Sequence, residues 1–406
     1  MNDTGGGLAA RRAMRFVLLV GILSFFADFT YEGARGVLGP WLATMGASAT
    51  VIGIVVGLGE LLGYGLRAVS GRLADASRQF WPITIVGYVV QMSAVPLLAL
   101  VHSWPLAAVL IVLERTGKAV RNPPRDAMLA SAAQRIGGYG WAFGIHEAFD
   151  QFGAMVGPLV VAAIIAVQGG YRLAFAILAI PAFINLCFVG LARMAFPRPQ
   201  DLEQREADEA AVDRYPVGYW VYLAGAGLVA AGFADYPLIA YHWSIHRVIP
   251  ADWIPLLYAV AMAVSGGASL LLGRLFDRYG FRILIALTVV AAAFAPLVFL
   301  AGRLEYAVLG AALWGMGMGV HESIIPAAVA PMVSRTRRAS AFGTFTAVYG
   351  VCWFAGSALI GWIYDRSILG AVVFCVAAQL LALPAFVWVS LLPDLIGARQ
   401  KGRQDR

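Results

Sequence analysis

Apolar runs of about 20 residues recur from one end of this chain to the other, and each is long enough to cross a bilayer as a helix. In hydrocarbon every backbone N–H and C=O must find an internal partner, so a chain built of such runs is expected to be helical throughout. The composition agrees: 60% of the residues are hydrophobic and 13% are charged, whereas soluble domains are roughly a quarter charged. Two or three soluble domains, which 406 residues would otherwise suggest, are thereby excluded. The expected fold class is an all-α polytopic membrane protein.

Between their polar breaks, the runs give twelve segments, near 15–45, 50–72, 82–101, 105–132, 139–167, 171–194, 216–245, 252–272, 282–302, 306–333, 339–364 and 368–393. The polar stretch AFPRPQDLEQREADEAAVDRYP divides them six plus six. The expected domains are a six-helix bundle over 1–194, a linker over 195–215, a second six-helix bundle over 216–393 and a basic tail over 394–406. Twenty loop and terminal Lys and Arg residues fall on the side of both termini and the linker. Four, Arg172, Arg247, Arg303 and Arg366, fall on the other. Positive charge stays inside, so both termini and the linker are expected in the cytoplasm. The remaining six cations, Arg35, Arg67, Arg115, Lys118, Arg121 and Arg125, lie within first-half spans. The net charge of +7 therefore marks topology and interior sites, and points to no nucleic-acid partner. The opening ARRAMRFVLLVGILSFFADF has the flank and core of a signal peptide, but no small-residue cleavage site follows, so it reads as the first span. Cys187, Cys352 and Cys375 lie in apolar segments without paired or metal-ligand spacing, and read as buried small hydrophobes.

The two halves echo each other. GRLADASRQ follows the second span and GRLFDRYGFR follows the eighth, with Gly71 to Gly273 and Asp75 to Asp277 each 202 residues apart. AFG recurs at 142–144 and 341–343. These residues resemble the major facilitator superfamily, and the resemblance covers essentially the whole chain. Its loop signature G-x-x-x-D-[RK]-x-G-[RK]-[RK] is matched by Gly273, Asp277, Arg278, Gly280 and Arg282. The first copy keeps Gly71 and Asp75, with Ala76 and Arg78 where the family has a cation and a glycine. Arg115 resembles the arginine of the fourth-span pattern L-x-x-x-R-x-x-x-G, flanked here by Ile111 and Ala119. In GIHEAFDQFGAMVGPLVV, Gly144, Gly153, Gly157 and Pro158 match the antiporter signature G-x8-G-x3-G-P-x-x-G-G, while Val161 and Ala162 replace its last glycines. Small residues also let spans pack closely, and a Gly-Pro pair bends a helix, whatever is carried. The resemblance implies twelve helices in two halves related by a pseudo-two-fold axis, rocking about a midplane site lined by the first, fourth, seventh and tenth spans. It also implies a monomer in the cytoplasmic membrane, and the fifth-span match implies proton-coupled export.

An ionisable group at the bilayer centre costs ~2.5–3.5 kcal/mol on insertion scales, so it normally faces a bundle interior or a wet cavity. Asp28, Glu32 and Arg35 share one face of the first span; Glu32 and Arg35 read as a pair, which leaves Asp28 as a proton carrier. Glu60 is deep in the second span. Arg115, Lys118 and Arg125 recur on one face of the fourth span, and Glu114 to Lys118 has the spacing of an i,i+4 pair. Lys118 reads equally as a salt-bridge member and as a substrate contact. Pro123 and Pro124 are expected to break the ladder, placing Arg121 and Arg125 at a kink. His146, Glu147 and Asp150 of the fifth span read as balancing those two arginines across a helix interface. The seventh span holds Asp235 with Tyr236, Tyr241, His242 and Trp243; the tenth holds His321 and Glu322; neither carries Lys or Arg.

The proton-coupling candidates are therefore Glu322 first, then His321, Asp28 and Asp235; the substrate candidates are Arg115, Lys118, Arg35, Glu32, Tyr236 and Tyr241. No H-E-x-x-H cluster and no nucleophile elbow is present, so neither an enzyme nor a metal or other cofactor is expected. The expected partners are a small-molecule substrate, protons and the lipid bilayer. The expected function is proton-coupled export of a small amphipathic or anionic compound by alternating access. Proton-linked uptake of an organic anion comes second, and a non-transporting receptor or sensor third.

Overall fold

The computed structural model describes residues 3–136, 139–167, 170–199, 215–325, 328–329, 332–333 and 338–392. Most of the linker and the basic tail lie outside the described residues. The regular elements among them are all helical. The first half comprises α1 (Asp3–Thr44), α2 (Ala49–Ser77), α3 (Phe80–Leu97), α4 (Trp104–Ala133), α5 (Tyr139–Ala166), α6 (Gly170–Ile177) and α7 (Ala179–Ala195). The second comprises α8 (Val217–Ala231), α9 (Tyr236–Ile245), α10 (Trp253–Tyr279), α11 (Phe281–Ala292), α12 (Phe294–Leu300), α13 (Leu304–Gly319), α14 (Arg338–Tyr364), α15 (Ile368–Leu381) and α16 (Leu383–Ser390). Among the described residues, nine helical stretches are long and apolar enough to cross a membrane. The charge-rich α4 is not one of them, although its 30 residues exceed the length of a span.

Several spans break just ahead of a proline. A proline removes one ladder donor and crowds the carbonyl four residues earlier. α6 ends at Ile177 and α11 at Ala292, four residues before Pro181 and Pro296. α15 ends at Leu381, three before Pro384, and the gap between α8 and α9 precedes Pro237. The break expected at Pro123–Pro124 does not occur, because α4 runs straight through both. Pro123 frees the carbonyl of Ala119, and the Ser70 hydroxyl on α2 donates to that oxygen at 2.9 Å. A supplied donor replaces the missing one, so the helix continues.

The chain forms two compact units. Met1–Gly46, Leu62–Ala207 and Ala251–Ala259 make the first; Ala47–Leu61, Asp208–Pro250 and Val260–Arg406 make the second. In the first, α5 lies directly on α1: a Cβ at Gly153 would stand 2.3 Å from the Phe25 carbonyl oxygen, and one at Gly157 would stand 2.2 Å from that of Phe29. No side chain larger than hydrogen fits there. Cys375 is buried as expected, but Cys352 is only half-buried and Cys187 is exposed.

In the second unit the start of α2 lies on α14. A Cβ at Gly53 would meet the Ser357 oxygen at 2.2 Å, and one at Gly361 would meet the Ala49 oxygen at 2.4 Å. The first N–H groups of α2 have no partner within their own helix. Asp365, just past α14, supplies one: Ala49 N donates to Oδ1 at 3.0 Å and Thr50 N to Oδ2 at 2.8 Å, with the Thr50 hydroxyl adding a third bond. Burial raises the Asp365 carboxyl, but the bonds from Thr50, Ser48 and Ala49 outweigh it and hold the group below the ordinary carboxylate range. A negative charge at a helix N-terminus is favourable as well. The contribution is therefore complete above the ordinary carboxylate range and is lost as pH falls through the lowered value. Asp365→Ala is expected to speed amide exchange at the start of α2 roughly fivefold, the typical cost of about 1 kcal/mol for a lost cap. Hydrogen–deuterium exchange over residues 49–55 measures this, and unchanged exchange would contradict the cap.

Candidate functional site

In the first unit the fourth-span charges are sorted by what α3 and α1 offer them. Arg121 is fully buried. Its Nε donates to Gln91 Oε1 at 2.6 Å and its Nη1 to the Tyr88 hydroxyl at 3.2 Å, while Nη2 lies 3.8 Å from Asp28 Oδ1. Gln91 Nε2 also donates to Glu114 Oε1 at 2.8 Å, and Glu114 Oε2 lies 3.6 Å from Arg115 Nε. Glu114 is thus engaged by a neighbouring helix and by Arg115, and the expected Glu114–Lys118 pair does not form.

Lys118 turns instead to Tyr31 on α1, its Nζ standing 4.2 Å from the ring centroid. The Arg115 guanidinium stands 4.7 Å and that of Arg35 5.9 Å from the same ring, and Arg35 Nη1 donates to the Tyr31 hydroxyl at 2.7 Å. Three cations therefore surround one aromatic ring, each attracted by its π-face or its hydroxyl. Glu32, one residue along, accepts from the Tyr258 hydroxyl of α10. Among the described residues, no carboxylate lies within ion-pairing distance of Lys118.

Among the described residues no fifth-span acid makes a direct ion pair with Arg121 or Arg125, although both arginines act on Asp150 electrostatically from α4. Arg125 bonds its sequence neighbour Asp126, with Nη2 at 2.7 Å from Oδ1, and its Nη1 donates to Ser24 on α1 at 3.1 Å. Ser24 Oγ lies 2.6 Å from His146 Nε2, and His146 Nδ1 lies 3.5 Å from Asp150 Oδ2. Glu147 accepts from Gln151 at 2.9 Å.

In the second unit the polar groups gather at the break in the seventh span, between Ala231 and Tyr236. Unwound backbone in a membrane needs side-chain partners, and three other spans supply them. Gln379 Nε2 donates to the Gly232 carbonyl at 3.3 Å, and Trp314 Nε1 to that of Ala234 at 2.8 Å. The Asp235 carboxylate accepts from Trp353 Nε1 at 3.1 Å and from the Ser357 hydroxyl at 2.5 Å. Asp235 has no Lys or Arg in its own span, yet it is held by two donors from α14. His321 and Glu322 occupy a single π-turn, Val320–Ile324, that interrupts the tenth span. Such turns widen a helix and recur at functional sites. His321 is buried, bonded through Nδ1 to the Tyr349 hydroxyl and packed 4.3 Å from the Phe233 ring. Glu322, next to it, is exposed.

Of the remaining candidates, Tyr236 is buried with its ring 5.4 Å from Trp314, and Tyr241 lies 6.1 Å from Tyr364. Gly71 and Asp75 fall inside the last turns of α2, so the expected loop signature is helical there. The side chains of Asp75 and Asp277 and the surroundings of Gly273 are not among the described features. Gly280 joins α10 to α11 at φ +61°, a conformation that favours glycine. Arg278 stacks on Tyr279 with 5.3 Å to the centroid, and Arg282 is exposed. Pro158 lies inside α5, and a Cβ at Gly144 would meet nothing within 4 Å. Tyr31, Gln91, Ser24, Trp353 and Ser357 hold these groups together, and sequence reasoning passes over all five. Only Tyr31 carries a signal: it lies three residues after Asp28 and four before Arg35, on the face already singled out.

The model of the Major Facilitator Superfamily matches residues 18–357. An uncharacterized protein of Mycobacterium tuberculosis is 39% identical over 389 residues, covering 94% of this chain and 95% of its own. An uncharacterized MFS-type transporter of Methanocaldococcus jannaschii is 23% identical, covering 88% of this chain and 90% of its own. Among solved structures, a point mutant of the nucleoside transporter NupG superposes with a TM-score of 0.75 at 14% identity, covering 92% of this chain and 99% of that one. The family model spans most of the chain and the helical architecture agrees with it: this multi-pass membrane transporter belongs to the major facilitator superfamily.

Proposed function

We propose that the protein carries a small organic anion together with a proton by alternating access, with Lys118, Arg115 and Arg35 as its anion contacts. The single observation behind this reading is the Tyr31 cluster: three cations on one ring, with Lys118 left without a carboxylate partner among the described residues. A carboxylate or phosphate group satisfies such a cluster through charge-assisted hydrogen bonds. Asp28 and Glu114 also face these cations, Asp28 being within electrostatic reach of Lys118 and Arg121. An anion and a proton then favour each other. Neutralising an acid releases a cation for the anion, and by linkage a bound anion promotes protonation of the acid to the same degree. Two ligands that bind cooperatively travel in the same direction, which makes uptake driven by the inward proton gradient the natural outcome.

Proton-coupled export is the second reading, favoured by Gly144, Gly153, Gly157 and Pro158. Gly153 and Gly157, however, are already required by the contact of α5 with α1. The test is uptake of pooled radiolabelled carboxylates and organophosphates into proteoliposomes, with wild type and Lys118→Gln. Lys118→Gln is expected to lower initial uptake at limiting substrate at least tenfold, the loss of one charge-assisted contact of roughly 1.5–3 kcal/mol, with partial rescue in Lys118→Arg. Equal rates for wild type and Lys118→Gln would remove the cluster from the substrate path.

A further inference from the structure

We infer that His146 on α5 is a further proton-binding group beside the acids Asp28 and Glu114, and that Ser24 makes its protonation compete with the hold on Arg125. The inference rests on the anion–proton reading above and adds a residue outside the expected coupling set. The hydrogens along one chain of contacts can be counted. Arg125 has only donors, so its Nη1 at 3.1 Å must use a lone pair of Ser24 Oγ. Ser24 reaches both His146 Nε2, 2.6 Å away, and the Asp150 carboxylate with its own hydrogen, and in the proposed arrangement that hydrogen points at Nε2. The ring proton is left on Nδ1, and it faces Asp150 Oδ2 at 3.5 Å. This arrangement is a neutral imidazole protonated on Nδ1, the tautomer that a carboxylate behind a histidine commonly favours.

A proton arriving at Nε2 reverses the middle bond. Nε2–H now donates to Ser24 Oγ, the serine hydrogen rotates away, and imidazolium and guanidinium meet across one oxygen less than about 6 Å apart. Two like charges at that distance repel strongly in protein. If an anion draws Arg125 off Ser24, the repulsion is removed and the serine oxygen is left for the imidazolium alone. Proton and anion then load together with no net change in charge. Asp150 holds the second ring nitrogen through both steps, and its Oδ1 is buried with no hydrogen-bond partner among the described residues.

The groups that face His146 are Ser24 and Asp28 from α1, Lys118, Arg121, Arg125 and Asp126 from α4, and Glu147 and Asp150 from its own helix. Arg121 is committed to Gln91 and Tyr88, so Arg125 is the cation whose withdrawal His146 senses most directly. The ligand atoms of His146, Glu147 and Asp150 come within 4.8 Å of one another, the spacing of a metal cluster. Both ring nitrogens are already engaged, by Ser24 and by Asp150, and a cation would sit beside Arg125; a proton suits the place better.

The test needs no substrate. Full-length protein labelled with 15N-histidine is titrated by NMR, with His146→Gln assigning the signal. Wild type is expected to show neutral His146 protonated on Nδ1 at pH 7.5. Arg125→Gln is expected to bind the proton roughly a hundredfold more tightly, moving its titration to higher pH. An Nε2–H tautomer in wild type, with the serine hydrogen turned to Asp150 instead, would overturn the inference without recourse to any variant. So would a titration of His146 that does not respond to Arg125→Gln in protein that elutes as wild type does. Failure of the transport assay leaves this titration readable, so the two readings fall separately.

Discussion

Gly157→Val is expected to abolish folded protein, or to lower its melting temperature sharply. Its first side-chain carbon would lie 2.2 Å from the Phe29 carbonyl oxygen, and backbone atoms cannot rotate out of the way. Overpacking ordinarily costs about 1–3 kcal/mol; here the obstacle is another helix's main chain, so the cost is expected at or beyond the upper end. Gly153→Val meets Phe25 in the same way and is expected to behave alike. Gly144→Ala, in the same sequence pattern, meets nothing within 4 Å and is expected to melt as wild type does. Thermal melting followed by fluorescence size exclusion separates the three. Equal melting of Gly144→Ala and Gly157→Val would show that these glycines are not spacing α1 from α5.

Arg121→Met is expected to destabilise the first unit by about 3–5 kcal/mol, the cost of removing one partner from a buried charged network. The loss leaves the Gln91 amide oxygen and the Tyr88 ring without the guanidinium, and Asp28 without its nearest cation. Arg121→Lys is not expected to rescue, since an ammonium cannot donate to Gln91 and Tyr88 from one rigid plane. Asp28→Asn in the Arg121→Met background is expected to recover part of the loss, because it removes the charge left behind. Denaturant or thermal unfolding of the three variants measures this. A neutral Arg121→Met would move Arg121 from the structural network to the substrate contacts.

The helical spans were legible because hydrocarbon permits little else: length and hydropathy alone mark them. The breaks were legible in principle, since Pro181, Pro296 and Pro384 stand in plain view. What decides between a break and a continuous helix lies elsewhere in the chain. Pro123 leaves α4 intact because Ser70, 53 residues earlier, supplies the missing donor. The charges behave similarly. Spacing along α4 offered Lys118 to Glu114, but Gln91 on α3 reaches Glu114 first and Lys118 turns to Tyr31. Asp235 looked bare because only its own span was read, while Trp353 and Ser357 approach it from more than a hundred residues away. The fifth-span glycines show the opposite limit. A motif associated with a direction of transport coincides with a packing requirement, and sequence cannot separate the two.

If an anion and a proton load together, external pH reports it most directly. Sealed, weakly buffered proteoliposomes containing the wild-type protein receive the pooled carboxylates and organophosphates with no imposed gradient. Alkalinisation outside that follows anion entry, and that is lost on adding a protonophore, is the expected result. Acidification outside, or anion entry with no pH change, would contradict it; the first would make the protein an exchanger and the second would leave it uncoupled from protons.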